Sequence, residues 1–368
     1  MAIIVDHRKL RTFTENNFRF VGLSQEAAHL CADNFVAADL RGVSSHGAAL
    51  IRRYMDAIRI GTILPQAKPE IIRESPSTAT IDGHLGLGQV VADFATGVAI
   101  EKAKQTGIGI ATVRNSNHYG MAGYYAQMMV DEGLLGMSLT NAAPYVIPTF
   151  GRIPVIGTNP ISLAAPANRH YPFLLDMATS VVPRNKLDEY ADTGMPMPAG
   201  WALDAQGRIT TDAAALLTSM VSRLGGGILP LGGKGELCGG HKGYGLSVLV
   251  DILCGVLSGG AYADLIQNVK DGESIIATQV CHFFMALKID NFVDMDTFTA
   301  GMDDLIDRLK NSEKAAGQTT IYVHGEKEYE LCAKHEKIGV PLPEYVYEIL
   351  ESVGKETGIP LDVRRERR

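Results

Sequence analysis

The chain has 368 residues, 46% of them apolar and 20% charged, with a formal net charge of −7 at pH 7. That length accommodates one large or two modest domains with an ample core. The acidic balance excludes a nucleic-acid partner, because phosphate binding needs clustered Lys and Arg and the only such cluster is residues 364–368. Cys31, Cys238, Cys254, Cys281 and Cys332 are odd in number and form no Cys-x-x-Cys. Reduced thiols and a cytoplasmic location are expected. Asp6-His7-Arg8-Lys9 argue against a signal peptide. Residues 243–261 are long and apolar enough to raise the question of a membrane, but Asp251 and five glycines predict a buried helix instead.

In chain order, residues 24–41 place Ala27, Leu30, Cys31, Phe35 and Ala38 on one helical stripe behind Ser24, a natural N-cap. Arg41-Gly-Val-Ser-Ser-His46-Gly follows, and the pattern over 46–60 predicts a second helix, capped by Ser44 or Ser45 and stopped at Gly61. His46 then falls in a first helical turn, where free N–H groups suit an anion and favour a neutral imidazole. A histidine titrating near neutrality beside Arg52 and Arg53 has what reduction of a 2-oxo acid needs. It offers a proton for the carbonyl oxygen, with a cation nearby for the carboxylate. A capping Ser-His pair on a surface helix is the plainer alternative.

Ser75-Pro76-Ser77 reads as a linker, and a strand at 78–82 runs into Gly86-Leu-Gly88 and a helix over 92–104. A Rossmann fingerprint fails here: the third small residue is Val91, and no acidic residue closes a second strand about twenty positions on. Apolar strands follow at 108–114, 135–139, 161–165 and 171–175. Asn117-His118, Asn141, Asn159 and Asp176 border them. Such strand ends commonly hold ligands, although Asn117 and His118 also suit an ordinary loop. Asp176, after an apolar run, needs a partner such as an imidazole N–H, or else caps a helix. Residues 183–230 read as irregular, with a small helix over 212–223. The glycine-rich turn from Gly232 to Gly245 lacks a P-loop ending, yet with Lys242 it can cradle phosphate through backbone N–H groups. Cys238 and His241 are spaced like half a zinc site without a second pair, so no metal is expected. A strand at 281–289, a helix at 298–311, a strand at 319–323 and a helix at 344–357 complete the chain.

Six motifs in this order are Ser45-His46-Gly47, Asn117-His118-Tyr-Gly, Gly157-Thr-Asn-Pro160, Asp176-Met-Ala-Thr-Ser180, Lys242-Gly-Tyr-Gly-Leu246 and Gly325-Glu326. Together they resemble the type II malate/L-lactate dehydrogenase family over nearly the whole chain. The likeness is nearest to its malate/sulfolactate branch, notably in Gly86-Leu-Gly-Gln-Val-Val91. The resemblance implies a non-Rossmann α/β (α+β) fold. In it, a largely antiparallel NAD(P)-binding sheet wrapped by helices spans 76–319, and a helical substrate and dimerisation domain comes from 1–75 with 320–368. It implies a homodimer or assembly of dimers, NAD or NADP as cofactor, and a small 2-oxo or 2-hydroxy acid as substrate.

By the same resemblance His46 is the proton donor and acceptor, Ser45 and Asp176 support it or the substrate, and His118 lies near the reaction centre. Asn159 falls to the substrate. Asn141, Asp176, Met177, Ala178, Thr179, Ser180, Lys242, Gly243, Gly325, Glu326 and Lys327 fall to the cofactor. One position departs from the pattern: many members carry an arginine four residues after the histidine, where this chain has Leu50. Arg53, sharing a helix face with His46, is the expected carboxylate ligand and Arg52 the second choice. Malate and oxaloacetate are the first substrates to consider. Lactate, sulfolactate, ureidoglycolate and cyclic ketimines follow, with a catalytically silent nucleotide-binding protein as the alternative from another class.

Overall fold

The computed structural model describes residues 2–266, 270–271, 274–275 and 278–364. Strand β1 (Ala2–Val5) leads into α1 (His7–Phe20), which the sequence pattern did not announce. Its start is capped by Asp6, whose carboxylate accepts from the Arg8 and Lys9 N–H groups. Helix α2 (Gln25–Leu40) begins as predicted, with Ser24 Oγ accepting from the Ala27 N–H at 3.2 Å. The next stretch departs from expectation. Ser44–His46 and Ala48–Leu50 are single 3-10 turns, and α3 spans only Ile51–Arg59. Neither serine caps it. The buried Asp39 carboxylate on α2 accepts the Ala48 N–H at 2.8 Å, and a Cβ on Gly47 would lie 1.9 Å from Asp39 Oδ1. A carboxylate nine positions back on α2 thus takes the first N–H of the second 3-10 turn, and the chain turns there before the α-helix starts.

Strands β2 (Glu70–Glu74) and β3 (Thr78–Asp82) form a hairpin across the expected linker. Helix α4 (Gly88–Thr106) crosses to β4 (Ile108–Ser116), and α5 (Ala122–Asp131), β5 (Leu134–Thr140), β6 (Ile161–Ala165) and β7 (Phe173–Met177) follow. Helix α6 (Arg184–Thr193) occupies a stretch that reads as irregular, because Leu187 is its one buried residue and the apolar period is too weak to see. A small sheet of β8 (Ala202–Leu203), β9 (Ile209–Thr210) and β10 (Gly227–Ile228) accompanies α7 (Ala213–Val221).

Helix α8 (Gly240–Asp251) continues as a π turn, Ile252–Val256. The short β11 (Lys270–Asp271) and β12 (Ser274–Ile275) pair precedes β13 (Val280–Lys288), α9 (Met295–Asn311), α10 (Glu326–Ile338), β14 (Val340–Pro343) and α11 (Glu344–Thr357). The strand expected at 319–323 forms no ladder. Glu326 takes the Val323 N–H into the start of α10 instead, diverting a donor that a ladder would need.

The main sheet has the order β2-β3-β4-β13-β5-β6-β7, and every neighbouring pair is antiparallel except β3 with β4. That parallel pair requires a crossover, and α4 provides it. The Gly86-Leu-Gly88 turn therefore does open a β-α-β unit, but for packing: a Cβ on Gly88 would lie 2.2 Å from the His118 carbonyl oxygen. The glycine lets α4 press against the 117–118 loop. Alternation along β13 separates two cores: Phe284 packs with Val91, Ala95, Tyr125 and Met129, while Phe283 packs with Val250 and Cys254. A third core joins Phe18, Phe35, Tyr54 and Met55 to Val346 and Leu350, drawing on both ends of the chain. Residues 243–261 are buried on one side only. Leu246, Leu249, Ile252 and Val256 stand exposed on the other, and among the described residues no helix is long and apolar enough to cross a membrane.

Candidate active site

His46 closes the first 3-10 turn, with its Nδ1 2.9 Å from Ser45 Oγ. Its ring stacks on that of His118, with centroids 5.4 Å apart and planes at 20°. The Nδ1 of His118 lies 2.5 Å from the Tyr54 hydroxyl and receives the Gly120 N–H at 3.4 Å. A backbone N–H can only donate, so Nδ1 carries a lone pair. The neutral ring is then assigned as the Nε2–H tautomer. The single Tyr54 hydroxyl proton is shared between that lone pair and the His118 carbonyl oxygen, 2.8 Å away, while the hydroxyl oxygen accepts from Gln89 Nε2 at 3.1 Å. Burial, followed by the nearby Arg53 cation, lowers His46 to about 4. Burial, aided by His46 and Arg53, holds His118 well below its ordinary range. Both rings are neutral at pH 7 before an anion enters.

Beneath them His282, fully buried on β13, bridges two strand ends. Its Nε2 is 2.8 Å from Ser116 Oγ and its Nδ1 2.8 Å from Thr140 Oγ1. Tyr119 stacks on it at 4.5 Å. The histidine thereby ties together the strands from which Asn117-His118 and Asn141 emerge. Within the apolar run of β13 the sequence offered no signal for this role.

Burial lowers His282 from 6.5 to about 3. Its contribution to stability is complete above pH 6.5 and is lost as pH falls toward 3, because the unfolded chain takes up the proton first. At about 1.4 kcal/mol per unit, the loss reaches about 2 kcal/mol at pH 5. His282→Gln cannot carry this penalty. Its stability deficit in urea unfolding is therefore expected to shrink by about 2 kcal/mol between pH 7.5 and pH 5. A deficit independent of pH would refute the assignment.

Asp176, at the end of β7, has no imidazole partner among the described residues. Its Oδ2 accepts the Gly123 N–H at 2.7 Å in the first turn of α5, so it is neither an imidazole partner nor an N-cap residue, but a strand carboxylate bonded to a remote helix start. Burial raises its pKa to about 6, with the Gly123 bond opposing the shift.

Two cavities meet at His46. The smaller, about 200 Å³, is lined by Leu50, Arg53, Tyr54, Asn117, His118, Asn141 and Arg184 among others. The larger, about 550 Å³, takes in Arg41, Asp176, Met177, Ala178, His324, Gly325, Lys327 and Glu328. Ser45, His46, Gly120, Thr158, Pro160 and Pro183 line both, so the imidazole stands in the partition.

The expected site residues divide accordingly. Arg53 faces the smaller cavity, whereas Arg52 turns away to pair with Glu356 and Ser352. Asn159 lines neither cavity. It is buried, accepting from the Ala142 N–H and donating to the Ser247 carbonyl, and so holds the loop that carries Asn141. Thr179 and Ser180 spend their hydroxyls on backbone carbonyls, Glu326 pairs with Lys310, and Gly243 is packed against Leu231. Lys242 is exposed on α8 and opens onto neither cavity. Tyr54, Gln89, Arg41 and Arg184 escaped the sequence reading. Only Tyr54 had a signal, lying two helical turns after the Ser-His-Gly motif. Among the described residues no group of three or more His, Cys, Asp or Glu could hold a metal.

An imidazole standing between two adjoining cavities, one bearing Arg53, above a largely antiparallel sheet points to the hydroxy-acid dehydrogenases as a class. The family model for malate/L-lactate dehydrogenase matches residues 5–351, and the chain belongs to that family. A malate dehydrogenase of Pyrococcus abyssi is 46% identical over 362 residues, covering 96% of this chain and 97% of its own. A malate/(S)-sulfolactate dehydrogenase of Methanothermus fervidus is 35% identical, covering 98% and 99%. The crystal structure of malate dehydrogenase from Entamoeba histolytica superposes with a TM-score of 0.94 at 35% identity, covering 98% and 100%.

Proposed function

We propose that this protein is an NAD(P)-dependent dehydrogenase interconverting a 2-hydroxy acid and a 2-oxo acid, with malate and oxaloacetate as the first pair. The observation that carries the reading is the position of His46 between a small cavity bearing Arg53 and a larger one. The relatives named for malate and sulfolactate support it. The larger cavity fits a nicotinamide dinucleotide in its donor set. Arg41, whose Nε is buried with no partner among the described residues, and Lys327 suit a diphosphate, and Asp176 and Glu328 suit ribose hydroxyls. When bound, that cofactor exchanges a hydride with the substrate carbon.

The chain's own residues then have separate tasks. Arg53 pairs with the carboxylate beside the carbonyl and orients it. His118, fixed by Tyr54 and Gly120, presents Nε2–H as a neutral hydrogen-bond donor. Ser45 holds His46 Nδ1, leaving Nε2 to give a proton to the carbonyl oxygen in reduction and take it back in oxidation. An entering carboxylate offsets the Arg53 charge and raises the His46 pKa from its low resting position toward the working range. We read residues 1–75 with 320–368 as the substrate and dimerisation unit and 76–319 as the dinucleotide unit, with both cavities at their junction and lined from both, so that Arg41, Lys327 and Glu328 reach the cofactor from the first unit. The exposed apolar stripe of α8 supports a second copy as its cover.

The test is loss of NADH or NADPH absorbance with oxaloacetate, pyruvate and sulfopyruvate. Turnover with oxaloacetate is the expected result, and absence of turnover with every 2-oxo acid and both cofactors overturns the proposal.

A further inference from the structure

We infer that Arg184 is a specificity-determining residue that selects dianionic substrates by pairing with the anionic group remote from the reacting carbonyl. The inference rests on reading the smaller cavity as the site of the 2-oxo acid. Two arginines from different elements line that cavity, Arg53 on α3 and Arg184 at the start of α6. One cation answers the carboxylate that every 2-oxo acid carries next to its carbonyl. A second faces only a methyl group in a monoanion such as pyruvate, but finds a counterion in an acid with a second carboxylate or a sulfonate.

Arg184 is held ready for that pairing. Its Nη1 donates to Asp188 Oδ2 at 2.6 Å, and its guanidinium carbon lies 5.6 Å from the ring centre of Tyr145, which lines the same cavity. The remainder of the fork has no partner among the described residues. A planar fork matches the paired oxygens of a carboxylate or sulfonate. The adjoining Asn185 donates through Nδ2 to the Ser45 carbonyl at 3.3 Å, which couples the start of α6 to the turn that carries His46. Asp188 balances the Arg184 charge in the free protein, so discrimination between acids is the expected outcome rather than tight retention of either.

The experiment compares kcat/KM for oxaloacetate and pyruvate in wild type, Arg184→Gln and Arg184→Lys. Arg184→Gln is expected to lose roughly ten- to a hundredfold on oxaloacetate and nothing on pyruvate, with Arg184→Lys intermediate. In parallel, the non-reacting dianion succinate is expected to raise the Tm of wild type but not of Arg184→Gln. Equal losses on both acids, or an equal succinate shift in wild type and Arg184→Gln, overturn the assignment. A wild type that reduces neither acid, while its succinate shift vanishes in Arg184→Gln, retains Arg184 as the anion anchor and removes the reaction reading instead.

Discussion

Replacing His46 by asparagine is expected to lower kcat about 10²- to 10⁴-fold in both directions while leaving dinucleotide binding intact. Asparagine keeps a polar group beside Ser45 but cannot exchange a proton with the substrate oxygen, so the loss falls on the chemical step rather than on KM. The wild-type pH profile gives an independent check. With His46 lowered to about 4 in the free protein, oxidation of the hydroxy acid needs the neutral ring. Its kcat/KM should stay flat from neutral pH down to about pH 5 and fall below that. Reduction needs the charged ring, and its kcat/KM should rise as pH drops toward 4. Cofactor binding read by nucleotide fluorescence guards against a folding artefact. An asparagine variant that turns over near the wild-type rate would remove His46 from the chemistry.

Arg53→Gln carries the second large effect. Loss of a charge-assisted pair with the substrate carboxylate costs about 1.5–3 kcal/mol, a fall in kcat/KM for oxaloacetate of roughly ten- to a hundredfold or more. The same substitution has a second signature. Arg53 is the cation that, after burial, holds His46 down, so its removal moves the acid limb of the oxidation profile to higher pH. Arg52→Gln breaks a partly exposed pair with Glu356 away from the cavity and should leave both readouts near wild type. Should Arg53→Gln retain full efficiency and an unmoved limb, another group must hold the carboxylate.

Much of this was legible from local patterns. Ser24 before an apolar stripe, the strand at 78–82 and the helix at 344–357 follow from side-chain periodicity and capping chemistry, which a short window of sequence contains. The Ser-His-Gly and Asn-His-Tyr-Gly motifs pointed to His46 and His118 through resemblance to a known family rather than through capping, since the helix start expected at His46 is a 3-10 turn. The incomplete Gly-x-Gly argued against a Rossmann fold, and the sheet is largely antiparallel.

What the tertiary structure alone decided are the partners. Ser44 and Ser45 are good local caps, yet Asp39 takes the Ala48 N–H from another helix and leaves His46 in a 3-10 turn. Asp176 takes its hydrogen bond from Gly123, 53 positions earlier in the chain, in the first turn of α5. His282 joins Ser116 to Thr140, which lie 166 and 142 positions before it in the chain. Arg52 and Arg53 are chemically identical neighbours, separated only by which one meets Glu356 and which one meets the cavity. Periodicity states which face of an element is buried, but a hydrogen bond or ion pair depends on where a remote backbone arrives. That position is set by the packing of the whole chain.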